Sequence, residues 1–233
     1  MNIADLRAEL EDDLAWRQDE LRHLRNSLLG GTDVADWPVP SMRAILVMQY
    51  AHLEGFVRNA MVLYVRYIND VSLHANELHV QIIASALTGE FNRLRKGGSL
   101  EGQQDDSENT RLLKRAKRQV EFVEKLRSVT SGPVSIDVEH AVSMEMNLSS
   151  DVLRRTLYML GIPDDSVDGA QYRALDFVKN ARNDIAHGSR KEKIEPGLFN
   201  AHRKKCEDFM NSLVRLVTEA ARDEWYKAHA VSA

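Results

Sequence analysis

The sequence contains one cysteine, Cys206, among its 233 residues. A single thiol cannot form an internal disulfide, and it cannot supply the several thiolates of a structural zinc site. We therefore expect a chain that folds in a reducing compartment and is held together by its apolar core. No reactive-cysteine motif surrounds Cys206, which we interpret as a spectator thiol on a helix.

An excess of positive charge is also missing. The formal net charge is −4 at pH 7 and the isoelectric point is about 6.1. The chain as a whole therefore does not attract nucleic acid, and any contact with RNA must come from a local basic patch.

Long uninterrupted apolar runs are absent as well. The most apolar span, residues 44–68, contains Glu54, Arg58 and Arg66. It is better interpreted as a buried core helix than as a membrane-spanning one. The first five residues lack the basic and apolar regions of a signal peptide, and we expect a cytoplasmic protein.

Three common catalytic motifs do not occur. The sequence has no phosphate-binding Gly-x-x-x-x-Gly-Lys-Ser/Thr loop, no Gly-x-Ser-x-Gly nucleophile elbow and no His-Glu-x-x-His zinc motif. His74 and His79 are five residues apart, which places them off a common helical face and does not suit a metal pair. We expect neither a metal nor an organic cofactor.

Helical periodicity is present over most of the length. Leucines recur every three, four or seven positions in residues 3–29, which predicts one long amphipathic helix. The other expected helices cover residues 42–69 with Ser41 as cap, 76–96, 110–127, 150–160, 172–188 and 196–229. The fold class is therefore all-α, an antiparallel helical bundle with long N- and C-terminal helices.

Two segments do not follow the helical pattern. Alternating apolar residues near Val134 predict a short strand or β-hairpin within residues 129–142. The polar, glycine-bearing residues 97–109 predict a mobile loop. The helix expected after that loop, residues 110–127, is basic, and its charges are either a solvated face or a site for RNA phosphates.

The most unusual composition occurs in residues 180–188, Asn-Ala-Arg-Asn-Asp-Ile-Ala-His-Gly. Gly188 is the residue type that ends helices in the left-handed conformation. Asn183 and His187 are four residues apart and therefore lie one above the other on the helix. Ile185 and Ala186 are expected to hold this last turn against the core.

Two interpretations of this turn are open. The structural one is that His187 offsets the helix dipole while Arg182 pairs with Asp184. The functional one is RNA cleavage, in which the ribose 2′-hydroxyl is the nucleophile. His187 would then move protons and Arg182 would stabilise charge on the phosphate. Asn183 would orient His187 or bind a phosphate oxygen, and Asp184 would hold Arg182.

One imidazole cannot be base and acid at once in a single cleavage. A two-fold dimer would supply the missing group if two such turns faced each other. The basic residues Arg190, Lys191 and Lys193 follow the turn directly and are expected to contact RNA, as exposed single strand rather than duplex.

Glu54 is a carboxylate among apolar residues, and its burial is costly unless it is paired. Either Glu54 points outward or pairs with Arg58 four residues later, or it lies beside Arg182 or His187 and orients one of them.

The motif from Arg182 to Gly188 resembles the signature of the HEPN superfamily (higher eukaryotes and prokaryotes nucleotide-binding domain). Residues 16–21, 50–57, 147–148 and 160–162 resemble the prokaryotic MAE-type HEPN-like nucleases, so the similarity spans nearly the whole chain. Ser189 stands where toxins of one HEPN branch carry the tyrosine that their nucleotidyltransferase antitoxins modify.

The resemblance implies one HEPN-like nuclease domain over residues 1–233. It implies a metal-independent endoribonuclease that acts as a homodimer with a composite active site and leaves a 2′,3′-cyclic phosphate. A toxin or effector role in prokaryotic defence, with an antitoxin or defence-system partner, is the expected biology. The alternative is a non-catalytic HEPN module that binds RNA, a nucleotide or a partner protein.

Overall fold

The computed structural model describes residues 1–96, 108–142, 147–188 and 194–228. In these ranges the regular structure is helical, which confirms the all-α prediction. The α-helices are α1 (Ile3–Leu29), α2 (Val39–Val71), α3 (Val80–Ala86), α4 (Thr88–Lys96), α5 (Glu108–Ser131), α6 (Val138–Ala141), α7 (Ser150–Met159), α8 (Gly169–Ala186) and α9 (Pro196–Arg222).

Helix α2 forms the centre of the bundle. Much of its circumference is buried, and α1, α8 and α9 pack against it. Its apolar composition on nearly every side is what such a position requires. No helix in the described part of the chain is long and apolar enough to cross a membrane.

Helix α1 has the predicted bounds because its capping signals are strong. Asn2 and Asp5 form a reciprocal capping box at the start, and Gly30 adopts the left-handed conformation at the end. The prediction of Ser41 as the cap of α2 is wrong. The helix begins at Val39, with Pro38 as the N-cap residue and Pro40 in the first turn, where a proline needs no amide hydrogen.

The helix predicted over residues 76–96 is divided. A 3₁₀ turn (Ala75–Glu77) precedes α3, and buried Leu87 separates α3 from α4. The break redirects α4 so that it packs along α5. The loop predicted over residues 97–109 lies outside the described residues except for Glu108 and Asn109, which belong to α5.

The β-hairpin predicted within residues 129–142 is wrong for the described chain. Pro133 makes only an isolated bridge with His74, and the Val134 amide donates to the Leu73 carbonyl at 2.8 Å. Val134 and Ile136 are buried, so their alternation reflects an extended segment packed on the core. Helix α6 follows that segment at once.

The last helix ends seven residues earlier than predicted, at Arg222 rather than near His229, which lies outside the described residues. The chain then turns back, and buried Tyr226 packs edge-on against Tyr64 and Tyr67 of α2. Burial of this ring explains why the helical pattern does not continue.

A half-buried carboxylate joins α1 to α9. Glu207 binds Arg203 with both oxygens at 2.8 Å and also accepts from Arg25 of α1. Replacing Glu207 with glutamine is expected to lower the free energy of unfolding by about 2–3 kcal/mol, because two partly buried guanidinium groups lose their counter-charge. Urea denaturation followed by circular dichroism measures this loss.

The control is the exposed ion pair between Arg7 and Glu11, whose side chains are 62% and 51% exposed. Glu11→Gln is expected to cost less than about 0.5 kcal/mol. Equal losses for the two substitutions would contradict the role assigned to Glu207.

Candidate functional site

Helix α8 carries the unusual turn and positions it at the surface. The helix starts at a capping box between Asp168 and Gln171 and ends with His187 as its C-cap residue. Gly188 then adopts a φ of +65°, which a residue with a side chain rarely adopts. The His187 side chain is exposed, and its backbone amide donates to the Asn183 carbonyl at 2.9 Å.

The core contacts of this turn differ in part from the expectation. Ile185 packs against the core, but Ala186 is exposed. Asn183 and Asp184 are half-buried. Ile185 therefore anchors this side of the turn on the core, while His187 is exposed.

The Arg182 guanidinium lies in a half-buried niche between α2 and the start of α7. One of its nitrogens, Nη2, donates to the side-chain oxygen of Asn147 at 3.2 Å. Its central carbon lies 4.3 Å from the centre of the Tyr50 ring, within cation–π range. The guanidinium is thus fixed by two side chains from other parts of the bundle.

Glu54 faces into the same niche rather than outward. Its Oε1 accepts a hydrogen bond from the Leu148 amide at 3.1 Å and lies 3.2 Å from the Tyr50 hydroxyl. Arg58, the other partner considered for Glu54, instead binds Glu139 at 3.2 Å. Glu54 is therefore linked to Arg182 through Tyr50.

The Tyr50 hydroxyl has three acceptors within reach. Besides Glu54, the side-chain oxygen of Asn147 and the Leu148 carbonyl each lie at 3.4 Å. Burial, reinforced by the negative charge of Glu54, raises the pKa of Tyr50 to about 12. The hydroxyl therefore stays protonated at neutral pH and acts as a donor.

The position of Asn147 depends on α8 itself. The Ser149 side chain caps α7, and both the amide and the hydroxyl of Ser150 donate to Asp176, at 2.9 and 2.6 Å. Asp176 and Arg182 both lie on α8. This helix therefore holds the segment of Asn147 and Ser150 in place through Asp176, and Asn147 in that segment binds Arg182. Tyr50 and Asn147 had no assigned role in the sequence, although both occur in the blocks with family resemblance.

The resemblance block at residues 16–21 lies on another side of α2, where Arg17 is close to Gly55. Arg17 lies 4.5 Å from the Trp16 ring centre and donates to Asp13 at 3.0 Å. A methyl group on Gly55 would come within 2.7 Å of an Arg17 nitrogen, so a side chain there would displace the Arg17 guanidinium. These residues join α1 to α2 and do not contribute to the Arg182 niche.

Three of the residues predicted to contact RNA, Arg190, Lys191 and Lys193, lie outside the described residues. Within the described ranges, no group of three or more His, Cys, Asp or Glu side chains is arranged to hold a metal ion. Cys206 is buried, and burial raises the pKa of its thiol to about 12, as expected for a spectator thiol.

Glu54→Ala tests whether the niche is built around this carboxylate. The change leaves the Leu148 amide and the Tyr50 hydroxyl without this acceptor, and we expect a loss of about 1–3 kcal/mol in unfolding free energy. If Arg182 takes part in RNA cleavage, as the motif predicts, cleavage is also expected to fall about tenfold, because Arg182 loses its support.

Glu139→Ala is the matched control, since this carboxylate is exposed and only pairs with Arg58. It is expected to change neither quantity measurably. A stability loss for Glu54→Ala with full cleavage activity would show that the carboxylate supports the fold and not the arginine.

The model of one protein family, described as HEPN_MAE_28990-like HEPN, matches residues 6–226 of the chain. The matched range runs from the first turns of α1 to the turn after α9 and includes the Arg182 niche and His187. No curated protein and no solved structure matches the chain significantly.

Proposed function

Since this chain belongs to the HEPN_MAE_28990-like HEPN family, we propose that it is an endoribonuclease that cleaves RNA by attack of the ribose 2′-hydroxyl on the adjacent phosphate. HEPN domains are often ribonucleases. The observation that carries the proposal is the fixed Arg182 guanidinium on the helix that exposes His187 at its end.

His187 and Arg182 have different roles in the proposed reaction. His187 moves protons, because an exposed imidazole can both accept and donate a proton. Arg182 stabilises the charge that develops on the phosphate, because its planar fork of donors matches phosphoryl oxygens and remains charged. This internal-nucleophile reaction needs no metal-activated water.

Five other residues support these two. Tyr50, Asn147 and Glu54 are positioning residues that hold the guanidinium in place before the substrate binds. Asn183 orients His187 or binds a phosphate oxygen, and Asp184 holds Arg182. A guanidinium that is already oriented costs less to order in the transition state.

We further propose that the active form is a homodimer with a composite cleft. In a helix, residues five apart are separated by about 7.5 Å along the axis and about 140° around it. Arg182 and His187 of one chain therefore do not share a strip of the helix. A two-fold axis beside the turn would place a second histidine and arginine opposite the first pair.

Substrate contact is assigned to the segment after the turn. Arg190, Lys191 and Lys193 would bind phosphates of single-stranded RNA near the cleft. Their basic character compensates locally for the net charge of −4. The biological role proposed is that of a toxin or effector in prokaryotic defence, held in check by an antitoxin or defence-system partner protein.

One observation favours a second function, a non-catalytic HEPN module that binds RNA, a nucleotide or a partner protein. Arg182 already has Asn147 and Tyr50 as partners inside the chain. An arginine held in this way can bind a phosphate group without taking part in cleavage. The binding module predicts RNA association without strand cleavage.

The deciding experiment incubates the purified protein with total RNA and with a single-stranded oligonucleotide, with EDTA present. Arg182→Ala and His187→Ala are compared with Arg222→Ala and His23→Ala, which change exposed residues away from the turn. Cleavage by the wild type and both controls, but by neither site variant, supports the nuclease. Binding without cleavage in all five proteins would support the binding module.

A further inference from the structure

Helix α8 presents one face that runs away from His187 along the surface. Arg173, Phe177, Asn180, Asp184 and His187 recur at intervals of three or four residues. Helical geometry places these five side chains within an arc of about 80°. All five are exposed or half-buried. The face therefore extends over about 21 Å of helix, with His187 at one end and Arg173 at the other.

Helix α9 borders this face and runs antiparallel to α8. Gln171 donates to the Ser212 hydroxyl at 3.2 Å, and Phe177 contacts His202. Residue numbers therefore rise along α8 as they fall along α9. The α8–α9 seam, which is the surface line along which the two helices meet, leads from His187 to the pair of Phe177 and His202. The pair lies about 15 Å from His187 along the axis of α8.

The rings of Phe177 and His202 are stacked. Their centres are 4.0 Å apart and their planes are 13° from parallel. Phe177 packs against the core, and His202 is half-buried. Phe177 therefore supports the imidazole from the protein side, and the exposed part of the imidazole is directed outward. Burial lowers the pKa of His202, so at neutral pH the ring is an uncharged aromatic surface.

Two exposed cations lie beyond the stacked pair. Arg173 precedes Phe177 by four residues, and Lys205 follows His202 by three. Because α8 and α9 are antiparallel, both cations lie at the same end of the pair. Neither forms an ion pair within the described part of the chain. An aromatic ring with cations beside it is the composition of sites for single-stranded nucleic acid, in which bases stack and phosphates bind the cations.

We propose that the α8–α9 seam binds the single-stranded RNA that flanks the scissile phosphate, with one base stacked on the outer side of His202. The inference rests on the proposed function for the place of the scissile phosphate at His187, whereas the stacking itself requires only RNA binding. Arg173 and Lys205 bind phosphates next to the stacked nucleotide. A strand of a few nucleotides spans the distance from His187, since a stacked strand rises by about 3.4 Å per nucleotide.

The proposed site has a defined selectivity. Every base has an aromatic face, so the site accepts any base that is free to stack. Bases inside a duplex are already stacked and paired, and the site excludes them. We therefore expect discrimination between single and double strands and little preference for sequence.

Fluorescence anisotropy with a short labelled single-stranded RNA tests the stacking on His202. The measurements use His187→Ala as the parent protein, so that the RNA stays intact. Adding His202→Ala is expected to raise the Kd by about 5- to 100-fold, the range for loss of one base–aromatic contact. Adding His202→Phe, which keeps an aromatic ring, is expected to leave the Kd unchanged, as is the exposed control His23→Ala on α1.

Oligonucleotides that each lack the base at one position separate stacking from packing. The parent protein is expected to lose affinity by at least about fivefold at one of these positions. The variant with His202→Ala is expected to bind that oligonucleotide as it binds the complete one. Such a cycle measures direct coupling between the ring and the base. A weakened contact between α8 and α9 would instead lower the affinity for all oligonucleotides alike.

Three results would overturn the proposal. The first is a parent protein that binds no RNA. The second is a variant with His202→Ala that binds as the parent does. The third is a His202→Ala variant in which removal of each base has the same effect as in the parent, which would limit His202 to packing. Failure of the nuclease proposal looks different, because a wild type that binds RNA through His202 without cleaving it keeps the stacking site and rejects the nuclease.

Discussion

Replacing Arg182 with alanine is expected to lower the rate of RNA cleavage by about 100- to 1000-fold. The substitution removes the fixed positive charge to which the proposed mechanism assigns stabilisation of the phosphate in the transition state. Arg182→Lys is expected to restore little of this activity, because a lysine keeps the charge but loses the forked donors that bind Asn147 and phosphate together. Initial rates on a single-stranded oligonucleotide measure both variants.

The fold is expected to tolerate the loss of Arg182. Alanine at this position removes one hydrogen bond to Asn147 and the stacking on Tyr50, which together stabilise the fold by about 1–2 kcal/mol. Arg58→Ala, which removes an exposed guanidinium bound to Glu139, is the matched control and is expected to retain full activity. Comparable cleavage rates for Arg182→Ala and Arg58→Ala would remove Arg182 from the mechanism.

His187→Ala is expected to lower the cleavage rate by about 100- to 10,000-fold, the range for loss of a general acid or base. Because the imidazole is exposed at the helix end, its removal costs only a favourable interaction with the helix dipole. The free energy of unfolding should therefore change by less than about 1 kcal/mol. Rate and stability are measured on the same preparation.

The structural interpretation of His187 predicts the opposite pair of results. If His187 mainly caps α8, its loss lowers the free energy of unfolding, and neither the wild type nor the variant cleaves RNA. Expression in a bacterial host separates the two outcomes further: the nuclease arrests growth and His187→Ala relieves the arrest. His23→Ala, an exposed histidine on α1, controls for histidine loss as such.

Local signals in the sequence were sufficient for the helices whose ends carry them. Leucine spacing predicts α1 with the bounds that the structure has, because Asn2 and Gly30 cap the helix at its two ends. The end of α9 and the break at Leu87 were not predictable in this way. They depend on the burial of Tyr226 and Leu87, which the local pattern does not contain.

The candidate site was predictable from the sequence only where its residues lie on a single helix. The spacing of Arg182, Asn183 and His187 follows from one helix, so their relative placement could be inferred. The hydrogen bonds of Glu54 with Leu148 and of Tyr50 with Asn147 join segments 94 and 97 residues apart, and Arg182 reaches Asn147 across 35 residues. Only the packing of α2, α7 and α8 brings them together.

The chemical ends of the cleavage products test the account most directly. Purified protein is incubated with an RNA oligonucleotide in EDTA, and the fragments are analysed by mass spectrometry and by their response to polynucleotide kinase. Attack by the 2′-hydroxyl predicts a 2′,3′-cyclic phosphate on one fragment and a 5′-hydroxyl on the other, absent with Arg182→Ala and His187→Ala. Fragments with 5′-phosphate and 3′-hydroxyl ends, or cleavage that persists in both variants, would contradict it.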